Sequence, residues 1–272
     1  PAGASRRVRA VVTPRRTPAE TKKRHLAAST RFVTQAMNNI QEAIDNAAPE
    51  LALKFCRQLM TRLGGIDLPD KPKILGDLNC AMGMLYFELN RLTLSLVHHR
   101  KDLDIAIENA LNASYVRALR NLGRTYQRMQ DVRSCCSMYG RILNLDCGPF
   151  LMGDAALQIG RCYFDEESWD EAVAAGRRAL LLLRDSSKQG IEEIKSEIPG
   201  PSFSLYPEPT RSELELDCLC LIGRSLCMLG SNAEAEQLLT QCLQLAQEWG
   251  DNTAEAAALT NLSILALKAE IG

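Results

Sequence analysis

Long apolar runs are missing from this 272-residue chain. A membrane helix needs about 18 to 20 consecutive apolar residues, whereas the uninterrupted stretches here, such as Ala179 to Leu183, amount to one helical turn. No membrane span is expected. An apolar leader core is missing too, because Val8 to Val12 is broken by Arg9 and closed by Pro14. The ten cysteines are therefore expected in a reducing compartment, as small buried side chains with free thiols.

Catalytic raw material is scarce. There are three histidines, and His98 and His99 are adjacent, so on a helix they diverge, whereas a metal pair on one face needs i and i+4 spacing. Cys135-Cys136 and Cys218-x-Cys220 lack the C-x-x-C spacing of a structural zinc site, and helical neighbours one or two apart point away from each other. They are read as packing residues. No glycine-rich phosphate cradle occurs, since the recurrent glycines sit inside helical patterns among bulky apolar residues. No catalytic residue, metal or cofactor is expected, and the chain is read as a non-enzyme.

An excess of either charge is absent, the formal net charge being -1, but the distribution is uneven. Residues 1–24 carry Arg6, Arg7, Arg9, Arg15, Arg16, Lys22, Lys23 and Arg24 against Glu20 alone, a balance of +7 that leaves -8 for the rest. A basic arm on an acidic body is expected, able to attract an acidic surface or to serve as a soluble linker. Nucleic acid is the weaker candidate, because no aromatic precedes Phe32 to stack on bases.

What is present is a period. An apolar-Gly pair followed three residues on by a large side chain occurs at Met82-Gly83 with Tyr86, Leu122-Gly123 with Tyr126, Ile159-Gly160 with Tyr163, and Ile222-Gly223 with Leu226. Leu262-Ser263 with Ala266 is a degenerate fifth copy, and the spacings are 40, 37, 63 and 40. Twelve residues after each glycine a small residue recurs (Ser95, Cys135, Ala172, Ala235), and seven or eight further on an apolar one. Each unit reads as two amphipathic helices that approach closely at the small residues, with turns at Asn90, Gln130-Asp131, Glu167-Ser168 and Gly230-Ser231-Asn232. The glycines and Tyr86, Tyr126, Tyr163, Ala172 and Ala235 are thus assigned to repeat packing. The one long interval holds Pro199, Pro201, Pro207 and Pro209, too many helix breakers for a helix interior.

The expected organisation is a basic arm (1–24), a degenerate helical hairpin (25–65), repeats (73–185), a proline-rich inserted loop (186–212) bearing Phe203 and Tyr206, and further repeats with a terminal helix (213–272). That helix, nearly all apolar or small, is expected to dock against another chain or more of the same one. Pro1 in place of Met predicts that a longer polypeptide precedes the arm.

Two helices per unit, a small-Gly-large signature and an early small residue in the second helix resemble the tetratricopeptide repeat. The resemblance implies an all-α right-handed superhelix, an α-solenoid with long, about 40-residue, helical hairpins. Two stretches, Val97-His98-His99-Arg100-Lys101-Asp102-Leu103-Asp104-Ile105-Ala106 and Leu157-Gln158-Ile159-Gly160-Arg161-Cys162-Tyr163-Phe164, resemble the tetratricopeptide subunits of the outer dynein arm docking complex of motile cilia. That likeness covers about 76–185 well and 213–271 loosely; the proline-rich insertion departs from it. It implies a scaffold in the cytoplasm and the ciliary or flagellar axoneme, in a hetero-oligomeric assembly. Docking-complex coiled-coil proteins and dynein subunits are the implied partners, with tubulin a further candidate for the basic arm. The alternative is a peptide-binding adaptor for signalling or chaperone partners with no ciliary role.

Arginine follows the glycine in three units: Arg124, Arg161 and Arg224. G-protein-regulator adaptors with long repeats, and the carboxylate clamps of co-chaperones, place Asn there, which argues against both branches. In tetratricopeptide arrays this position lines the concave groove, so these residues, with Arg120, Gln127 and Arg128, form the candidate partner-binding groove for an acidic segment. The competing reading is internal, with Asp154, Asp165, Glu166 or Glu167 neutralising the arginines between repeats.

Overall fold

A computed structural model describes residues 17–185 and 209–271, all of whose regular structure is helical. The order is α1 (Pro18–Asp45), α2 (Pro49–Leu63), α3 (Lys71–Glu88), α4 (Leu92–Glu108), α5 (Asn112–Arg128), α6 (Val132–Leu143), α7 (Pro149–Asp165), α8 (Trp169–Asp185), α9 (Arg211–Leu229), α10 (Asn232–Trp249) and α11 (Asn252–Ile271). Each helix packs mainly on its sequence neighbours, and the first helices of successive units also touch, α3 on α5, α7 on α9 and α9 on α11. The result is a chain of hairpins with its core distributed along the stack.

The turns have one construction. After α1, α3, α4, α5, α7, α9 and α10 a residue takes positive φ: Ala47, Asn90, Ala110, Gln130, Glu167, Gly230 and Gly250. The next N–H then reaches back five residues, as in Arg91 N to Tyr86 O (2.8 Å), Asp131 N to Tyr126 O (3.0 Å) and Ser168 N to Tyr163 O (2.9 Å). This is the six-to-one bond that closes a helix and reverses the chain. The large residue of the repeat signature therefore also supplies the carbonyl that ends its helix.

The anchoring glycines are closed over by side chains. A Cβ on Gly123 would lie 2.5 Å from the ring of Tyr139, a fully buried side chain of α6. In the third unit the residue sixteen beyond the glycine is itself glycine, Gly176, where the first, second and fourth units have His99, Tyr139 and Leu239. The vacated space above Gly160 is filled from the next unit, by Leu221 of α9. Ser95, Cys135, Ala172 and Ala235 are all fully buried, as close helix packing requires.

Two boundaries differ from expectation. The Thr17 side chain accepts from Glu20 N while Glu20 accepts from Thr17 N, a capping box that, with Pro18 at the first turn, starts α1 ahead of the hairpin boundary expected at 25. Lys22, Lys23 and Arg24, assigned above to the arm, are therefore exposed helical residues. Thr210 and Glu213 form a second capping box, so α9 opens at Arg211, inside the expected loop. Arg6, Arg7, Arg9, Arg15 and Arg16, with Phe203 and Tyr206, lie outside the described residues.

Candidate functional site

Charge enters the stack in register. Six residues before each glycine stand Asp77, Arg117, Asp154 and Asp217, on the first helices that touch between units. Arg117 of α5 reaches Asp77 of α3 (2.6 Å) and Asp102 of α4 (3.0 Å), joining both helices of the first full unit to the second. The Asp102 side chain has no exposure, and its second carboxylate oxygen, Arg117 Nε and the nearby His99 Nδ1 have no hydrogen-bond partner. Burial raises the Asp102 pKa to about 6 although Arg117 pulls it down. Burial likewise holds His99 down to about 3, so it packs on Gly83 as a neutral ring.

The expected arginine stripe divides in two. Arg120 is largely buried, pairing through Nη2 with Asp154 of α7 (3.0 Å), one of the carboxylates named above. Arg161 pairs with Asp217 of α9 (2.7 Å), a partner that sequence spacing did not single out because it lies across the insertion. These two tie units together. Arg124, Arg128 and Arg224 are exposed. Arg128 lies over the ring of Phe87 (5.2 Å) and Arg224 over that of Phe164 (4.4 Å), each aromatic belonging to the preceding unit. Arg124 stands at the lip of a cleft with room for about one water, lined by Met84, Phe87, His99, Asn121 and Thr125. Gln127 is half-buried on the same helix. Arg128 and Arg224 are thus braced on rings, a geometry that leaves guanidinium edges able to make bidentate hydrogen bonds.

Other packing roles were invisible in spacing alone. Arg57 donates to the Tyr86 hydroxyl (2.6 Å) and Arg100 to that of Tyr126 (2.6 Å), so α2 and α4 each hydrogen-bond the signature tyrosine of the following helix. His98 stacks on Tyr86 with ring centroids 5.4 Å apart, its Nδ1 3.0 Å from Asn79 Oδ1, and burial lowers its pKa to about 4. Tyr163 is half-buried.

All ten cysteines are free thiols. Among the described residues no group of three or more His, Cys, Asp or Glu is arranged to hold a metal ion, and no helix is long and apolar enough to cross a membrane. Cys135 and Cys136 point differently on α6, as expected, the first buried and the second half-buried; what spacing did not show is that Cys135 Sγ lies 2.8 Å from Cys162 Sγ on α7.

No protein-family model matches the chain. It is similar to outer dynein arm-docking complex subunit 4 of Danio rerio, 31% identical over 163 residues that make up 59% of this chain and 34% of that protein. To the subunit of the same name from Bos taurus it is 25% identical over 162 residues, 58% of this chain and 24% of that one. The chain thus spans about a third or less of the length of these relatives. Among solved structures it superposes on aspartyl phosphate phosphatase F of Bacillus subtilis with a TM-score of 0.70 at 14% identity, covering 91% of this chain and 59% of the other. It superposes also on a signal-transduction ATPase with a tetratricopeptide-repeat sensor from Pyrococcus horikoshii, TM-score 0.65 at 12% identity, covering 91% and 34%. At such identities the likeness shows fold alone. The fold is a tetratricopeptide-repeat α-solenoid, as the period and the glycine signature lead one to expect.

Proposed function

We propose that this chain is a non-catalytic tetratricopeptide-repeat scaffold that helps dock outer dynein arms onto axonemal doublet microtubules. The observation that carries the reading is the 163-residue similarity to a subunit named for that docking complex. The first-helix face presents Arg124, Arg128 and Arg224 and grips an acidic segment of a docking-complex coiled coil or of a dynein subunit. Two of these cations rest on Phe87 and Phe164, which fixes them in place and lowers the side-chain entropy lost on binding. Arg120 and Arg161 serve the same face indirectly, by setting the angle between units through Asp154 and Asp217. On α1, Lys22, Lys23 and Arg24 are exposed and extend the basic character of the preceding residues toward an acidic surface such as tubulin.

The test is replacement, in motile ciliated cells, of the native protein by one carrying Arg124→Glu, Arg128→Glu and Arg224→Glu. Cryo-electron tomography is expected to show outer arms missing from doublets while the variant remains folded and abundant. Normal arm occupancy would remove the groove from the proposal, and normal occupancy after deletion of the protein would remove the docking role altogether. A pulldown dominated by chaperones, with no axonemal protein, would favour the adaptor reading.

A further inference from the structure

The repeat register brings one pair of positions together at the unit junctions. Position twelve after a unit's glycine lies on its second helix, and position two after the next unit's glycine on the following first helix. At the junction of the first and second full units these are Ser95 and Thr125, fully buried, with hydroxyl oxygens 3.3 Å apart. At the next junction the same positions are Cys135 of α6 and Cys162 of α7, both fully buried, with sulfurs 2.8 Å apart. At the third they are Ala172 and Ser225, again fully buried. The hydroxyl pair is independent of sulfur chemistry and shows that backbone packing, repeated from unit to unit, is what puts the two thiols in contact. Cys136, next to Cys135 on α6, is half-buried and so the thiol nearest solvent at this junction.

We infer that Cys135 and Cys162 form an oxidisable thiol pair whose disulfide staples the second full repeat unit to the third. A hydroperoxide supplies the oxidising equivalents. The Cys162 thiolate attacks one peroxide oxygen, the O–O bond breaks, and sulfenic acid forms while the departing hydroxide takes up the proton the thiol released and leaves as water. The Cys135 sulfur then attacks the sulfenic sulfur, the S–S bond forms, and hydroxide departs with the Cys135 proton as a second water. Two thiols lose two electrons and hydrogen peroxide gains them. The hydrogen bond that the Cys162 thiol donates to Cys135, together with burial, raises the Cys162 pKa to about 12, so little thiolate is present at neutral pH. Reaction therefore requires sustained peroxide rather than air. The staple closes the loop from Cys135 on α6 to Cys162 on α7 and so holds α7, which carries Arg161, against the hairpin of α5 and α6, whose first helix carries Arg124 and Arg128.

The purified chain treated with hydrogen peroxide, alkylated and digested without reduction is expected to yield one peptide linking Cys135 to Cys162, while Cys56 and Cys80, buried elsewhere, remain alkylatable after unfolding. The melting temperature is expected to rise by roughly 5 °C or more on oxidation and to return on treatment with dithiothreitol. Cys135→Ser, which installs the residue found at this position in the first full unit, is expected to abolish both the linked peptide and the reversible rise. The inference is overturned if Cys135 and Cys162 stay free while Cys136 is oxidised to sulfinic acid, or if the linkage found joins Cys136 to Cys162. The mass measurement on the unsubstituted chain decides between these outcomes whether or not the serine variant folds.

Discussion

Arg117→Met removes one cation from between two carboxylates while keeping the length and much of the apolar volume of the side chain. Asp102 has no exposure and Asp77 very little, so neither can turn to water. An orphaned buried carboxylate can escape by taking a proton. Starting from an ordinary pKa of about 3.9, that costs about 4 kcal/mol at pH 7 and about 1.5 kcal/mol at pH 5. Asp102 already carries part of this penalty, since its pKa is about 6 with Arg117 in place. For an acid raised in the folded state, the penalty is full above pH 6 and is relieved as pH falls from 6 toward 4. At pH 7 Asp102 therefore adds only about 1.4 kcal/mol when Arg117 is lost, and Asp77 is left as a second nearly buried carboxylate without its cation. A total of about 3 to 5 kcal/mol agrees with what breaking a buried ion pair ordinarily costs. At pH 5 Asp102 contributes almost nothing, so its part of the deficit disappears. Urea titrations of the variant and parent at both pH values measure the two differences. Because repeat arrays need not unfold in one step, hydrogen exchange over α3 to α5 is read alongside. A deficit under 1 kcal/mol at pH 7, or one of the same size at pH 5, would refute the reasoning.

Further perturbations separate packing from charge. Gly123→Val places its new Cβ and two methyls against the fully buried Tyr139 ring, and a loss of about 3 kcal/mol or more is expected by chemical denaturation; a near-neutral effect would mean that the two helices can part. His99, with a folded pKa of about 3, stays neutral while the unfolded chain binds a proton below pH 6.5. Its contribution is complete above pH 6.5 and falls by about 2 kcal/mol by pH 5, with a flat His99 NMR titration above pH 4 as the direct check. Arg177 and Glu234 form an exposed pair between α8 and α10; Arg177→Ala is expected to cost under about 1 kcal/mol and to lose even that in 0.5 M salt.

How much of this was legible beforehand follows from what repeats. Gly83, Gly123, Gly160 and Gly223 mark where a second helix presses on the first, and a backbone contact that recurs at a fixed offset leaves a periodic trace. The turns were visible at Asn90, Gln130, Glu167 and Gly230, yet Ala47 and Ala110 adopt the same positive φ without any composition to announce it. The ion pairs were only half legible. Asp154 was within reach of Arg120 by spacing, whereas Asp217 meets Arg161 from beyond the insertion, and the bond from Arg117 to Asp77 spans 40 residues. Such partners are set by how units stack. Phe87 and Phe164 escaped notice for the same reason, since each braces an arginine of the following unit.

The uneven burial of the ion pairs has a mechanical consequence. A stack pulled along its length shears at its junctions, and these are not equally strong. Asp77, Asp102 and Arg117 are locked in protein and barely screened, while the pairs that α7 and α8 make to α9 and α10 stand at the surface, where salt and water compete with them. At high ionic strength the pairs between the third and fourth full units are expected to weaken first, leaving that seam to the apolar packing of α7 and α8 on α9. The proline-rich segment runs between α8 and α9, the helices that meet at this seam.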